Sequence, residues 1–167
     1  MNLLSEVELP VPNMKKIWAI GGGKGGVGKS VFAANLACAL LSEMRAKTLL
    51  IDADEKSCGD QNIITGLRPQ KTVSEIANFN GSISPQTLSA LVATHASGLS
   101  YIGAVHSPDQ TLTADAPLFR KQLHALSQHY KFIVADLGCD INELQMALIE
   151  DSSALVIVTT PEVLVVN

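Results

Sequence analysis

The stretch Ile17-Trp18-Ala19-Ile20-Gly21-Gly22-Gly23-Lys24-Gly25-Gly26-Val27-Gly28-Lys29-Ser30 decides how this chain folds. The apolar run Ile17 to Ile20 predicts a buried strand, and Lys29 to Glu43, rich in Ala and Leu, predicts a helix. Between them the pattern G-x-x-x-x-G-K-[ST] is complete at Gly23, Gly28, Lys29 and Ser30, after a strand and opening a helix, where its chemistry needs it. Glycines let the backbone turn tightly, so that successive N–H groups point at phosphate oxygens while the helix N-terminus adds partial positive charge. Lys29 is then placed to neutralise β- and γ-phosphates, and Ser30 to offer a hydroxyl to Mg²⁺. A random chain of this size shows the pattern about one time in a hundred, so a glycine turn that binds nothing is much the weaker reading.

Outward from the loop, short apolar runs alternate with longer helical stretches, the pattern of strand-helix-strand units in a mainly parallel α/β sheet. Thr48 to Ile51 predicts a second strand ending at Asp52. The region from Glu55 to Gly98 is less regular: a polar loop, a short helix at Val73 to Ala77, and a helix after Ser84-Pro85 with Leu88, Leu91 and Val92 at helical spacing. Leu99 to Ala104 is the expected third strand. A helix over Ala116 to His129 presents Leu118, Phe119, Leu123 and Leu126 on one face. Phe132 to Ala135 is a fourth strand ending at Asp136, Ile141 to Ile149 a further helix, and Ala154 to Val158 a fifth strand. Residues 1–14 read as a flexible lead-in and 15–167 as one domain. Val163 to Asn167 reads as the opening of another helix, so the domain is expected to be incomplete at its C-terminus.

With 167 residues, 47% hydrophobic and 17% charged, the chain has the composition of a globular domain with a substantial core. A net charge of -4, with no basic run longer than Lys15-Lys16, argues against direct nucleic-acid binding. Cys38, Cys58 and Cys139 form no C-x-x-C pair, so neither a disulfide framework nor a zinc site is expected, and a reducing cytoplasm is the expected location. The lead-in carries Glu6 and Glu8 rather than a cationic start, and no apolar run reaches membrane-spanning length.

A phosphate loop alone does not place a metal or a water; acids at strand ends do. Asp136 closes Phe132-Ile133-Val134-Ala135 in the Walker-B arrangement, and Asp52 and Asp54 end the run Leu49-Leu50-Ile51. Either could be a mere loop starter, but two such acids in a chain with this loop point to a metal and water site.

The second lysine, Lys24, within Lys24-Gly25-Gly26-Val27-Gly28-Lys29-Ser30, makes the chain resemble the deviant Walker-A ATPases of the MinD/ParA family. The resemblance extends through Asn35-Leu36-Ala37, Ile51-Asp52-Ala53-Asp54, Phe132 to Gly138 and Val156 to Pro161. It implies a three-layer P-loop NTPase fold whose two subunits sandwich two ATP molecules, with Lys24 reaching across to the partner's phosphates. It further implies ATP and Mg²⁺ as cofactors, bound by Gly23, Gly25, Gly26, Val27, Gly28, Lys29 and Ser30. Lys24, Lys29 and Asp52 become the catalytic set, Asp52 orienting the attacking water; Ser30, Asp136 and Asp52 become the metal set. The implied activity is slow, dimer-dependent ATP hydrolysis that positions other machinery through an unidentified protein partner, in the manner of division, flagellar or pilus localisation ATPases. A phosphotransferase or ligase acting on a metabolite is the alternative on the same scaffold. Cys139 invites comparison with iron-sulfur relatives, but one cysteine is too few for a cluster. Family members also continue into further strands that supply an adenine pocket, which this chain does not reach by Asn167.

Overall fold

The computed structural model describes residues 16–56, 60–107, 110 and 115–161. The lead-in at 1–14, Cys58 and the helix expected at 163–167 lie outside the described residues. Strand β1 (Ile17–Gly21) runs through the glycine loop into helix α1 (Lys29–Ser42), and β2 (Thr48–Ala53) follows. Next come α2 (Asp60–Thr65), α3 (Val73–Ala77), α4 (Pro85–Leu91), β3 (Ala93–Thr94) and β4 (Ser100–Ile102). The chain closes with α5 (Ala116–Ser127), β5 (Phe132–Leu137), α6 (Glu143–Glu150) and β6 (Ala154–Ile157).

The strands form one sheet in the order β3-β4-β2-β5-β1-β6. Every pairing is parallel except the short β3 against β4. Parallel strands need crossover helices, which cover both faces and make the inner strands apolar throughout. In keeping with this, β2 is buried along its whole length and β5 in all but its first residue.

On one face Leu49, Ile51, Ile133, Ala135 and Leu137 pack with α3, α4, α5 and α6. On the other, Ile20, Leu50 and Val134 pack under α1, which turns Ala33, Ala34, Ala37 and Leu40 inward. Because the contact side of α1 is mostly alanine, the helix sits close to the sheet. Its first turn is thereby brought near the C-terminal ends of β1 and β5.

Local chemistry sets the element ends. Thr72 and Glu75 close a capping box on α3, as Ser84 and Thr87 do on α4. Asp115 caps α5 by accepting from Leu118 N at 2.7 Å. Asn142 caps α6 by accepting from Gln145 N at 2.9 Å, which starts that helix two residues later than the apolar pattern from Ile141 suggests. Two elements differ from the sequence expectation: α2 occupies the stretch expected to be a polar loop, and β3 adds a two-residue antiparallel edge. The third strand is also shorter than expected, because after Ile102 the backbone leaves the sheet to bridge Thr72 at Gly103. A side chain at Gly103 would meet Pro69 Cγ at 2.8 Å.

Candidate functional site

The loop from Gly22 to Gly28 lies over the C-terminal edge of β1 and feeds α1. Gly28, the residue before α1, has φ +95°, and Gly26 has φ +79°, conformations that L side chains rarely adopt. A methyl placed on Gly23, Gly25, Gly26 or Gly28 would meet nothing within 4 Å, so the loop is uncrowded at these positions. Gly22 is the opposite case. A Cβ there would stand 2.6 Å from the Val158 carbonyl and 3.2 Å from Lys29 Cδ, so only glycine lets the loop leave the sheet beside β6.

Lys29 and Lys24, five residues apart in one loop, have opposite environments. Lys29 is 6% exposed, and its Nζ donates to the Lys24 carbonyl at 3.3 Å and to Cys139 Sγ at 3.2 Å. Lys24 is exposed at the tip of the loop. A cleft of about 340 Å³ lies beside them, bounded by Gly25, Gly28 and Ser30 on one wall and by Asp54, Asp60 and Ile63 on the other.

Strand register brings the acids together. Asp52 and Asp136 are direct partners on β2 and β5, and Asp136 also faces Ile20 of β1. Side chains alternate along a strand, so with Leu49, Ile51, Ile133 and Ala135 in the far core, both acids point to the α1 side. Each is almost completely buried. Burial first, and then the neighbouring Asp136 carboxylate, pushes Asp52 up to about 8. Burial likewise raises Asp136, while hydrogen bonds from Gln61 and Ser30 and the charge of Lys29 oppose the rise. Asp52 Oδ1 accepts from Asp54 N at 3.0 Å, and Asp54 Oδ1 accepts from Lys56 N at 3.0 Å. The acids therefore shape the loop after β2 as well as charging it.

This donor set suits a Mg²⁺–phosphate group on three observations. Asp136 Oδ1 is buried with no hydrogen-bond partner, the loop glycines line an open cleft, and the Ser30 hydroxyl lies at the Asp136 carboxylate. All the site residues expected from the sequence thus converge on one edge of the sheet. Two further residues join them. Gln61 of α2 is fully buried and donates from Nε2 to the Ser30 carbonyl at 2.9 Å and to Asp136 Oδ2 at 2.8 Å. Cys139, expected to be an ordinary small residue, lies against Lys29. Gln145 of α6 supports the same edge, donating to the Ala53 carbonyl at 2.7 Å.

A family model described as an AAA domain matches residues 14–167. The chain belongs to the MinD/ParA-type P-loop ATPase family. Among related proteins, the septum site-determining protein MinD of Thermotoga maritima is 30% identical over 152 residues, covering 89% of this chain and 54% of MinD. The iron-sulfur cluster carrier protein of Aquifex aeolicus is 31% identical over 159 residues, covering 91% of this chain and 41% of the carrier. The chain thus spans about half the length of the curated relatives it matches. The solved ParA family ATPase from Chlorobium tepidum superposes with a TM-score of 0.79 at 24% identity, covering 90% of this chain and 62% of that one, and shows the shared fold. Within this MinD/ParA-type ATPase, no group of three or more His, Cys, Asp or Glu suited to a metal ion occurs among the described residues. No described helix is long and apolar enough to cross a membrane.

Proposed function

We propose that this chain is an ATP-binding, ATP-hydrolysing switch that pairs with a second copy when loaded and positions other machinery through its loaded state. The observation that carries the reading is the division of labour between the loop lysines: Lys29 is buried against its own loop while Lys24 is exposed at the tip. An exposed cation on the phosphate loop can reach another subunit's phosphates, the role an arginine finger plays in other NTPases.

In this reading the amides of Gly25 to Ser30 and Lys29 hold the phosphates, Ser30 Oγ binds Mg²⁺, and Asp136 holds the metal's water shell. Bound Mg²⁺ supplies positive charge to the phosphoryl oxygens. Asp52, on the neighbouring strand, orients the attacking water. Its burial excludes bulk solvent from that exchange. The family match and the closeness of the MinD relative support nucleotide chemistry, and the iron-sulfur carrier relative shows that the same scaffold serves other tasks.

The test is the ATPase rate per subunit as a function of protein concentration. It should rise with concentration and fall about 1,000-fold or more for Lys24→Ala, in the range lost with a charge supplied in trans. Lys29→Ala should abolish nucleotide binding altogether. A rate independent of concentration and indifferent to Lys24→Ala would sink the switch and favour a phosphotransferase or ligase acting on a metabolite.

A further inference from the structure

We propose that Gln61 is a positioning residue of the metal corner, holding Asp136 in place for metal-bound water; this rests on the Mg²⁺–phosphate reading above. Gln61 stands out on its own helix. Ile63 on α2 is 83% exposed, whereas Gln61, a polar residue, is wholly buried. Its Nε2 lies between two acceptors, the Ser30 carbonyl and Asp136 Oδ2. Only the NH₂ end of an amide can serve two acceptors, so the orientation is fixed and Oε1 faces away.

Oε1 is itself buried with no partner, and so is Asp136 Oδ1 at the other end of the same hydrogen-bonded pair. Two orphaned acceptors in one buried pair are unusual in a core, where buried polar atoms are normally hydrogen-bonded. The orphaned Asp136 Oδ1 is explained by a donor that arrives with the ligand, as a metal-bound water would. The residue that Gln61 grips from the other side is the one whose hydroxyl would ligate the metal. One amide therefore fixes the spacing between Ser30 at the start of α1 and the acid on β5. Partners of this kind set metal affinity without touching the metal.

The experiment is a titration of Mg²⁺ against binding of a fluorescent ATP analogue by the full chain, with no turnover required. The variants are Gln61→Leu and Gln61→Met, and thermal unfolding is followed in parallel. In both, affinity for the analogue without Mg²⁺ should stay within about twofold of the parent, while the Mg²⁺ concentration at half effect rises about 10- to 100-fold. The midpoint of unfolding should fall only modestly, since an apolar side chain removes the orphaned Oε1 while taking a donor from Asp136 Oδ2 and the Ser30 carbonyl. If either variant folds and shows the parental Mg²⁺ midpoint, Gln61 is only packing and the proposal is overturned. Equal loss of affinity with and without Mg²⁺ overturns it too, by showing a distorted phosphate loop. A parent whose analogue binding ignores Mg²⁺ would instead bring down the metal reading itself, and the role of Gln61 with it.

Discussion

Asp52 is held away from water, which disfavours its charge, and the Asp136 carboxylate beside it adds repulsion. An unfolded aspartate titrates near 3.8, whereas folded Asp52 does so at about 8. Between those values the folded chain keeps a proton that the unfolded chain has released. Stability therefore falls as pH rises through that window and levels off above it. Asp52→Asn removes the conflict with almost no change of shape. Without nucleotide or Mg²⁺, the variant should gain stability over the parent as pH rises, by about 1–3 kcal/mol near pH 8, read by urea unfolding across the window. The same variant should keep nucleotide binding and lose turnover, and normal hydrolysis would remove Asp52 from its water-orienting role. Lys29, Ser30, Asp52 and Asp136 are legible in the sequence because a local pattern fixes each of them, a loop spacing or the last residue of an apolar run. Gln61 and Cys139 are not, since they reach their partners across 75 and 110 residues of chain and sit in no motif. Only strand register and helix packing bring such residues to the site.

Among the elements, α1, β2 and β5 follow directly from apolar runs and the loop between them, while α2 escapes. Asp60-Gln61-Asn62-Ile63-Ile64 has no helical apolar period, because the side α2 buries carries a glutamine and not a hydrophobe. Element ends also obey chemistry that periodicity cannot see, as at Asn142. The start of α3 shows such an end at work. Glu75 Oε2 accepts from Thr72 N at 2.8 Å and contacts His106 Nε2 at 2.9 Å, while Oε1 pairs with Lys71 at 2.8 Å. Partial burial works against the charge, but the hydrogen bonds from Lys71, Thr72 and His106 outweigh it and bring the carboxyl down to about 2. A lowered acid stabilises the fold above its unfolded value of 4.5, and that contribution is lost as pH falls towards 2. Gln at this position can still close the capping box, so Glu75→Gln isolates the charge. With the carboxylate more than a third exposed, screening trims the effect to about 1 kcal/mol near neutral pH. The difference between parent and variant should shrink below about pH 4.5 and vanish only near pH 2 in chemical denaturation.

At the scale of the whole molecule, the sheet order puts β1 between β5 and β6, with the acid-bearing β2 next to β5, so the loop and both acids open on one edge. Packing on the helix-rich face holds that edge in place. Leu123, fully buried on α5 among Ile133, Ala147 and Leu148, is representative. Leu123→Ala should cost about 2–5 kcal/mol in urea unfolding while leaving nucleotide affinity at stable temperatures unchanged, which would separate scaffold from site. The β6 side of the sheet behaves differently. Leu155 is 46% and Ile157 58% exposed, and among the described residues β6 pairs only with β1. Apolar side chains in water beside an edge ladder favour pairing edge to edge with another strand. Leu155→Lys should therefore raise the concentration at which solutions turn turbid, with or without ATP. Sedimentation without nucleotide would measure association at β6, on the flank away from β2, apart from any pairing at the phosphate loop.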